Sequence, residues 1–331
     1  MVFATQVSPA EVEAAPDHAK RKLALLLIWI FVLMIFVECF TRFLHNHRKI
    51  TLTVEQSIRD AIAIRPATNK KQTLFVGNSL IFMDVTQPAL QDAMGRDYLV
   101  HTTGVVGSTY YDWQYGFRAL FKRGSRPDVI VFAISPSQYL RAPSVTPMII
   151  SQLWTNSEIF AYRSEQNLNL TNFSELLFER YSTFFALRDI VRIYARKVIP
   201  GFTNLVGVWA RATPSKPTEN QVPSTEIYVE KLRRLVQSVP PGTRFLLLIP
   251  PTNQPNDTAA EPYLRAAASE LGIPVEEPVK EYQWPSAKFQ PDAYHLNNSS
   301  AIEYSRLVGV DVAHLLDPQA DNAAGTSRGG Q

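Results

Sequence analysis

The sequence predicts an α/β protein built on a doubly wound parallel sheet, with one helical insertion and one N-terminal transmembrane helix. Three features support this prediction: short apolar runs alternate with amphipathic stretches, one long segment interrupts the alternation, and a long apolar run lies near the N-terminus. Strands buried on both faces of a parallel sheet are apolar throughout. Their alternation with helical patterns is typical of βαβ units.

Four apolar runs are the predicted strands, and helical patterns follow them or close the domain. We expect strands at residues 72–76, 98–101, 127–134 and 243–249. We expect helices at residues 87–94, 110–122, 225–236, 259–271 and 299–316. Because helical crossovers separate the strands, the strands should be parallel and their carboxyl ends should meet at one edge of the sheet.

Residues 145–224 interrupt this alternation. The segment contains two or more long amphipathic stretches, including residues 173–197, and it is too long for a simple crossover. We interpret it as an inserted helical subdomain over the strand ends, with a role as a lid or acceptor platform. Simple packing against the sheet or the membrane is the alternative.

The apolar run begins at Leu23 and continues to Leu44, with Glu38 as its one acidic residue. About 20 residues of helix match a hydrocarbon layer about 30 Å thick, so the run predicts a membrane-spanning helix. A cleaved signal peptide is the alternative, but its apolar part is shorter and ends in small residues before the cut. No such cleavage site follows here.

The predicted boundaries place a cytoplasmic tail at residues 1–22, the span at 23–44, a linker at 45–70, the main α/β domain at 71–317 and a disordered tail at 318–331. The basic cluster at residues 20–22 is tighter than the basic residues that follow the span. This asymmetry favours a cytoplasmic N-terminus. The α/β domain is therefore expected on the periplasmic or extracellular side of the inner membrane, held by a single span.

Composition excludes several classes of protein. The net charge is +3, from 33 Lys and Arg against 30 Asp and Glu, which gives no electrostatic reason to bind nucleic acid. Cys39 is the single cysteine, so an intrachain disulfide and a cysteine-based metal cluster are excluded. No phosphate-binding glycine loop, zinc signature or EF-hand is present, and we expect no metal or cofactor.

The first candidate for chemistry is the turn Gly77-Asn78-Ser79-Leu80, which directly follows the first predicted strand. Reactive groups in open α/β sheets gather at the carboxyl ends of strands, so Ser79 is well placed for attack. Gly77 permits a backbone conformation closed to other residues, which would tighten the turn.

The second candidate is the loop from Asp292 to His295, just before the last helix. A serine hydroxyl becomes a good nucleophile when an imidazole takes its proton, and a carboxylate fixes the tautomer of that imidazole. The other five histidines lie before or beside the predicted span, on a buried strand or in the last helix. His295 is therefore the candidate base, and Asp292 its partner.

These two motifs resemble the SGNH (GDSL-like) hydrolase superfamily. Residues 77–80 resemble its first block and Asp292 to His295 resemble its Asp-x-x-His block, and the resemblance spans about residues 72–316. It implies a flavodoxin-like sheet of the SGNH type, with Ser79 as nucleophile, His295 as base and Asp292 as its partner.

The resemblance also implies an oxyanion hole. Gly104, or Gly107 instead, would donate its backbone N–H alongside that of Ser79. We expect Asn78 to belong to the same set of oxyanion-binding and substrate-binding residues. The third block departs from the family pattern Gly-x-Asn-Asp, because Ser137 and Gln138 stand near the asparagine position. Either side chain would have to replace that donor, whose loss typically costs about 3 kcal/mol of transition-state stabilisation.

A membrane anchor joined to a diverged SGNH domain is similar to proteins of alginate acetylation and teichoic-acid D-alanylation. This resemblance implies an O-acyltransferase, most simply an acetyltransferase, that modifies an exported polysaccharide. A multi-spanning acyltransferase of the MBOAT type would be its partner. Six aromatic residues are suited to stacking on sugar rings: Tyr110, Tyr111, Trp113, Tyr282, Trp284 and Tyr294. Ordinary packing inside the protein is the alternative role for each of them.

Two other functions remain open at this point. A membrane-tethered carbohydrate or lipid esterase would use the same three residues with water as acceptor. A scaffold of a polysaccharide-synthesis complex would keep the fold without activity, an interpretation suggested by the altered third block.

Overall fold

In a computed structural model of the chain, residues 15–45, 49–67, 69–188, 222–279 and 284–317 are described. The strands are β1 (Lys71–Gly77), β2 (Tyr98–Gly104), β3 (Val129–Ala133), β4 (Arg244–Leu248) and β5 (Val275–Glu276). They form one parallel sheet in the order β2-β1-β3-β4-β5. This order is the flavodoxin-like doubly wound arrangement, so the predicted fold class is confirmed.

Helices cover both faces of the sheet. The helices that precede β3 in the chain are α1 (Ala15–His45), which belongs to neither core, α2 (Lys49–Ala63), α3 (Ser79–Asp84), α4 (Gln87–Met94) and α5 (Tyr110–Lys122). After β3 come α6 (Pro147–Gln152), α7 (Asn156–Glu165), α8 (Leu170–Tyr181), α9 (Thr225–Gln237), α10 (Pro255–Glu270) and α11 (Asn298–Leu316). Short 3₁₀ helices occupy Pro136–Leu140 and Ser286–Lys288.

Two apolar cores lie on opposite faces of the sheet. Alternate side chains of β1 show the division, since Leu74 and Val76 enter one core and Phe75 enters the other. The first core packs α2, α5, α9 and α10 against the sheet, and the second packs α3, α4 and α11. Because both faces are covered, the central strands β1, β3 and β4 are buried almost continuously, without alternation, as the sequence indicated.

The segment predicted as a linker, residues 45–70, contains α2, and α2 belongs to the folded domain. Val54, Ile58 and Ala61 are buried in the first core at spacings of four and three residues, which places them on one helical face. The linker prediction overlooked this pattern, because polar residues separate the three apolar positions.

Replacing Ile58 by alanine should therefore destabilise the whole domain. Ile58 is 1% exposed, and removing a fully buried isoleucine side chain costs about 2–5 kcal/mol. Ile302 on α11 is 40% exposed and provides the matched control, expected within about 0.5 kcal/mol of the parent. Denaturant unfolding of the full chain in detergent, followed by circular dichroism, measures both. Equal stability of the two variants would show that α2 is not part of the core.

Helix α1 contains the stretch His18–Phe43, within which an 18-residue window has a mean hydropathy of 2.8 and no buried residue. It is long and apolar enough to cross a membrane, a property that membrane anchors and signal sequences share.

The interrupting segment forms helices α6, α7 and α8, which pack in the first core around α5. The expected long helical stretch 173–197 is broken, since α8 ends at Tyr181 and a second helical segment occupies residues 183–188. The remainder of that prediction lies outside the described residues, as do residues 1–14 and the tail 318–331. Strand β5 was not predicted, because two residues give too short an apolar pattern.

Candidate active site

The turn after β1 presents Ser79 at the carboxyl edge of the sheet. Helix α3 begins at Ser79, and the side-chain oxygen of Asn78 caps it by accepting the N–H of Leu80 at 2.9 Å. The Ser79 backbone N–H takes part in none of the hydrogen bonds between described residues, as is usual in the first turn of a helix. This N–H therefore remains available to a ligand.

Gly77 is required in this turn for a reason other than the one predicted. Its φ angle is not positive. A Cβ atom on Gly77 would instead lie 2.0 Å from the carbonyl oxygen of Ala133, so β3 leaves no room for a side chain. The same holds for Gly104, where a Cβ would lie 2.4 Å from the Phe82 nitrogen in α3. Close approach of backbones, rather than unusual dihedral angles, explains both glycines.

Ser79, His295 and Asp292 form a continuous hydrogen-bonded chain. The Nε2 atom of His295 lies 2.8 Å from the Oγ atom of Ser79. Its Nδ1 atom lies 2.6 Å from Oδ2 of Asp292. Residues more than two hundred positions apart in sequence thus meet at one edge of the sheet. The three side chains have the mutual geometry that serine nucleophile, general base and orienting acid require.

The charge of Asp292 fixes the tautomer of His295. A carboxylate only accepts hydrogen bonds, so Nδ1 carries the proton and Nε2 presents its lone pair to the hydroxyl of Ser79. Burial acts to raise the pKa of Asp292, but hydrogen bonds from the backbone and ring of His295 and from the Tyr294 N–H outweigh it and lower the pKa to about 2. Asp292 is therefore ionised throughout the neutral range.

Backbone geometry shapes the loop that carries the base. Ala293 has a φ angle of 54°, in the left-handed region that non-glycine residues seldom adopt. Its carbonyl accepts the Asn253 N–H at 3.1 Å, and Gln254 donates to the same loop. These contacts from the segment after β4 hold the loop in its strained form, with His295 directed towards Ser79 and Tyr294 towards Ser135.

A polar network links the serine turn to the histidine loop. Asn78 donates its side-chain N–H to Gln138, and Gln138 donates to the hydroxyl of Tyr294. That hydroxyl lies 3.2 Å from Oγ of Ser135. The side-chain groups of Asn78 and Gln138 thus brace the residues that precede Ser79 and His295. Their predicted oxyanion role stays a prediction.

The other predicted oxyanion residues are less closely grouped. Gly104 pairs with Gly77 in the sheet register, so it lies beside the serine turn. Gly107 has a φ angle of 80° with open space around it, which marks a turn further along the loop. The backbone N–H of Ser137 donates to Asp257 at 3.0 Å.

Asp84 is a residue at this site that the sequence did not indicate. It ends α3, is fully buried, and accepts the Leu296 N–H at 2.9 Å, thereby joining the helix that carries Ser79 to the residue after His295. Its second oxygen has no hydrogen-bond partner among the described residues. Burial, together with the nearby charge of Asp292, raises its pKa to about 8 despite the Leu296 bond.

This raised pKa predicts a pH-dependent stability that an asparagine would remove. An acid whose pKa rises on folding contributes stability that is complete below its unfolded value and is lost as pH rises through its folded value. The stability contribution of Asp84 should therefore decline between pH 4 and pH 8. In Asp84→Asn the free energy of unfolding should fall less steeply over this interval, as measured by denaturant titrations at several pH values. Parallel curves for the two proteins would contradict the raised pKa.

Three of the six aromatic residues proposed for sugar stacking are unavailable for it. Tyr110, Tyr111 and Trp113 are buried in the first core, because α5 is covered by α6, α7 and α9. Tyr282 lies outside the described residues. Trp284 lines a cavity of about 350 Å³ at the end of β4, together with Pro250, Pro251, Thr252 and Phe289. This cavity adjoins the loop of Asp292 and His295 through Asn253.

Several solved structures are similar to this chain at low sequence identity. The carbohydrate acetylesterase Est24 from Sinorhizobium meliloti is 12% identical, with a TM-score of 0.40 over 74% of this chain and 100% of its own. A lipase/acylhydrolase from Enterococcus faecalis is 11% identical, with a TM-score of 0.37 over 73% and 95%. An aryl esterase from M. smegmatis is 11% identical, with a TM-score of 0.33 over 74% and 98%. No protein-family model and no curated protein matches the sequence.

No group of three or more His, Cys, Asp or Glu side chains within the described ranges is arranged to bind a metal ion. What the site does contain is a serine hydroxyl, a correctly oriented imidazole and a free backbone N–H at the same turn. This arrangement can form and break an ester at Ser79.

Proposed function

We propose that the chain is a membrane-anchored serine acyltransferase that transfers an acetyl or similar acyl group, through Ser79, to a hydroxyl of an extracytoplasmic polysaccharide. The observation that supports this most directly is the hydrogen-bonded chain from Ser79 through His295 to Asp292. Helix α1 would hold the domain at the inner membrane, on its periplasmic or extracellular side.

The reaction proceeds in two steps that use the same groups. His295 Nε2 takes the proton of Ser79 as Oγ bonds to the carbonyl carbon of an acyl ester, and His295 then returns that proton to the departing alcohol oxygen. In the second step His295 takes a proton from the acceptor hydroxyl, whose oxygen attacks the acyl-serine, and Ser79 regains its proton. Asp292 stabilises the imidazolium in both steps.

The negative charge on the carbonyl oxygen needs hydrogen-bond donors in both steps. The free N–H of Ser79 is one donor, and we assign the second to the backbone of Gly104, which lies beside it in the sheet register. The side-chain amide of Gln138 is bound to Tyr294 on its donor side. A site with few fixed hydrogen-bond donors to the carbonyl oxygen suits an acyl acceptor that supplies a further donor when it binds. This is one reason to favour a sugar hydroxyl over water as the acceptor.

The membrane anchor suggests where the acyl group originates. An extracytoplasmic site has no supply of activated acyl groups unless a membrane protein passes them outward, so we propose a multi-spanning acyltransferase of the MBOAT type as partner. A hydrolytic function is the second candidate. It is favoured by the exposure of Asp292, whose side chain is 47% accessible and leaves a route for water.

Purified full chain in detergent, supplied with p-nitrophenyl acetate and a panel of oligosaccharides, separates these functions. Release of nitrophenol that accelerates with an oligosaccharide, together with an acetylated sugar detected by mass spectrometry, is the expected result. Fast release that no sugar changes would indicate an esterase. No release, with normal folding, would favour a scaffold.

A further inference from the structure

We propose that the helical segment 183–188 is embedded in the lipid interface and, docked on Glu38 of α1, holds the α/β domain against the membrane surface. This inference rests on the membrane anchoring contained in the proposed function. The partner surface is the headgroup and upper acyl region of the lipid bilayer. Four kinds of observation support it: the contacts of Glu38, its depth in the span, the cost of its charge and the aromatic residues around the docked segment.

Glu38 caps the amino end of the segment. Its Oε1 accepts the backbone N–H of Thr183 at 2.8 Å, and its Oε2 accepts that of Phe184 at 3.1 Å. The hydroxyl of Ser182 and Nε of Arg42 each donate to the same carboxylate at 2.7 Å. One side chain of the apolar helix therefore binds three consecutive residues of the insertion.

The position of Glu38 along α1 sets the depth of this contact. Lys22 and Arg42 are the basic residues on either side of the stretch 23–40, which is apolar except for Glu38, and the 20 residue steps from one to the other rise about 30 Å, the thickness of the hydrocarbon layer. With Lys22 and Arg42 at the two boundaries, Glu38 lies one helical turn, about 5–6 Å, inside the nearer one. The backbone of residues 182–184 must reach the same depth.

The contacts explain why an acidic residue is tolerated in the apolar run. A charge or an unsatisfied backbone N–H at this depth is costly unless it is paired within the protein. Here the Glu38 carboxylate and the first N–H groups of segment 183–188 satisfy each other, and Arg42 balances the charge. Without the other, the Glu38 carboxylate or the amino end of segment 183–188 would enter the lipid boundary only at a higher free-energy cost.

Aromatic side chains surround the docked segment. Phe185 stacks on Phe178 with ring centroids 5.0 Å apart, and Phe184 contacts Phe185 edge to face. Phe178 is 47% exposed and Tyr181 is 62% exposed, so two large apolar side chains beside the segment face outward. Phenylalanine suits the outer acyl region and tyrosine the headgroup level, so this patch matches the composition of a membrane interface.

Spin labels on the full chain test the depth directly. Cys39 is the single cysteine, so a Cys39→Ala background allows one label each at Phe184, at Phe31 in the middle of the span, and at Val310 on the opposite face of the sheet. Val310 is 42% exposed and serves as the aqueous control. The proteins are reconstituted in vesicles of phosphatidylcholine and phosphatidylglycerol. The ratio of collision with oxygen to collision with a water-soluble nickel chelate reports depth.

We expect this ratio at position 184 to be several-fold higher than at 310, and to approach that at 31. Glu38→Leu should reduce the ratio at 184 towards the aqueous value, whereas Glu38→Gln, which keeps an acceptor oxygen, should preserve much of it. A label at 184 as aqueous as 310, with 31 deep in lipid, would overturn the inference and leave the acyltransferase proposal intact. An aqueous label at 31 would overturn the anchoring and this inference together.

Discussion

Replacing Ser79 by alanine is expected to abolish acyl transfer while the chain folds normally. The nucleophile is removed, but the alanine fits the space, since Oγ bonds only to His295 among the described residues. Loss of the serine in a nucleophile-base-acid unit typically lowers kcat by about 10⁶-fold. Nitrophenyl ester turnover measures the loss, and thermal unfolding shows that the fold survives.

Ser137→Ala is the matched control for this loss. Ser137 also lies at the carboxyl edge of the sheet, and its hydrogen bond to Asp257 uses the backbone N–H, which the substitution preserves. A large defect in Ser137→Ala would assign its hydroxyl to the oxyanion hole. Full activity in Ser79→Ala would remove the enzyme proposal and favour a scaffold.

Replacing Asp292 by asparagine is expected to lower kcat by about 10⁴-fold. The amide has the size of the carboxylate, but its N–H₂ group would face Nδ1 of His295, so the ring would adopt the tautomer that presents a proton to Ser79 instead of a lone pair. The backbone bonds from Tyr294 and His295 to Oδ1 can persist, and the loop should keep its shape.

Combining Asp292→Asn with Ser79→Ala distinguishes this explanation from a folding defect. Residues that act as a unit are not additive, so the double variant should be no less active than Ser79→Ala alone. A further loss in the double variant would show that Asp292 contributes to activity independently of the serine.

The sheet could be predicted from the sequence because burial on both faces imposes a recognisable composition on each strand. The run from Thr243 to Ile249 is mostly apolar, and β4 lies within it. The reactive residues could be proposed for a chemical reason. A serine nucleophile needs an imidazole and a carboxylate, and the chain has only six histidines.

Other features of the site depend on contacts that no local pattern specifies. Asp84 looks like an ordinary helix-ending residue until Leu296, more than two hundred positions later, donates to it. Gln138 looks like an ordinary polar residue after β3, and only the structure shows that it joins Asn78 to Tyr294. Glu38 is explained only by the insertion that docks on it.

Trapping the acyl-enzyme is the measurement that tests the central claim most directly. The full chain is incubated with p-nitrophenyl acetate without a sugar acceptor, quenched in acid, digested and analysed by mass spectrometry. A single acetyl group on Ser79, lost on addition of a competent acceptor and absent from His295→Ala, is the result predicted here. Acetylated sugar formed without modification of Ser79, or an acetyl group on another residue that turns over with the acceptor, would contradict it.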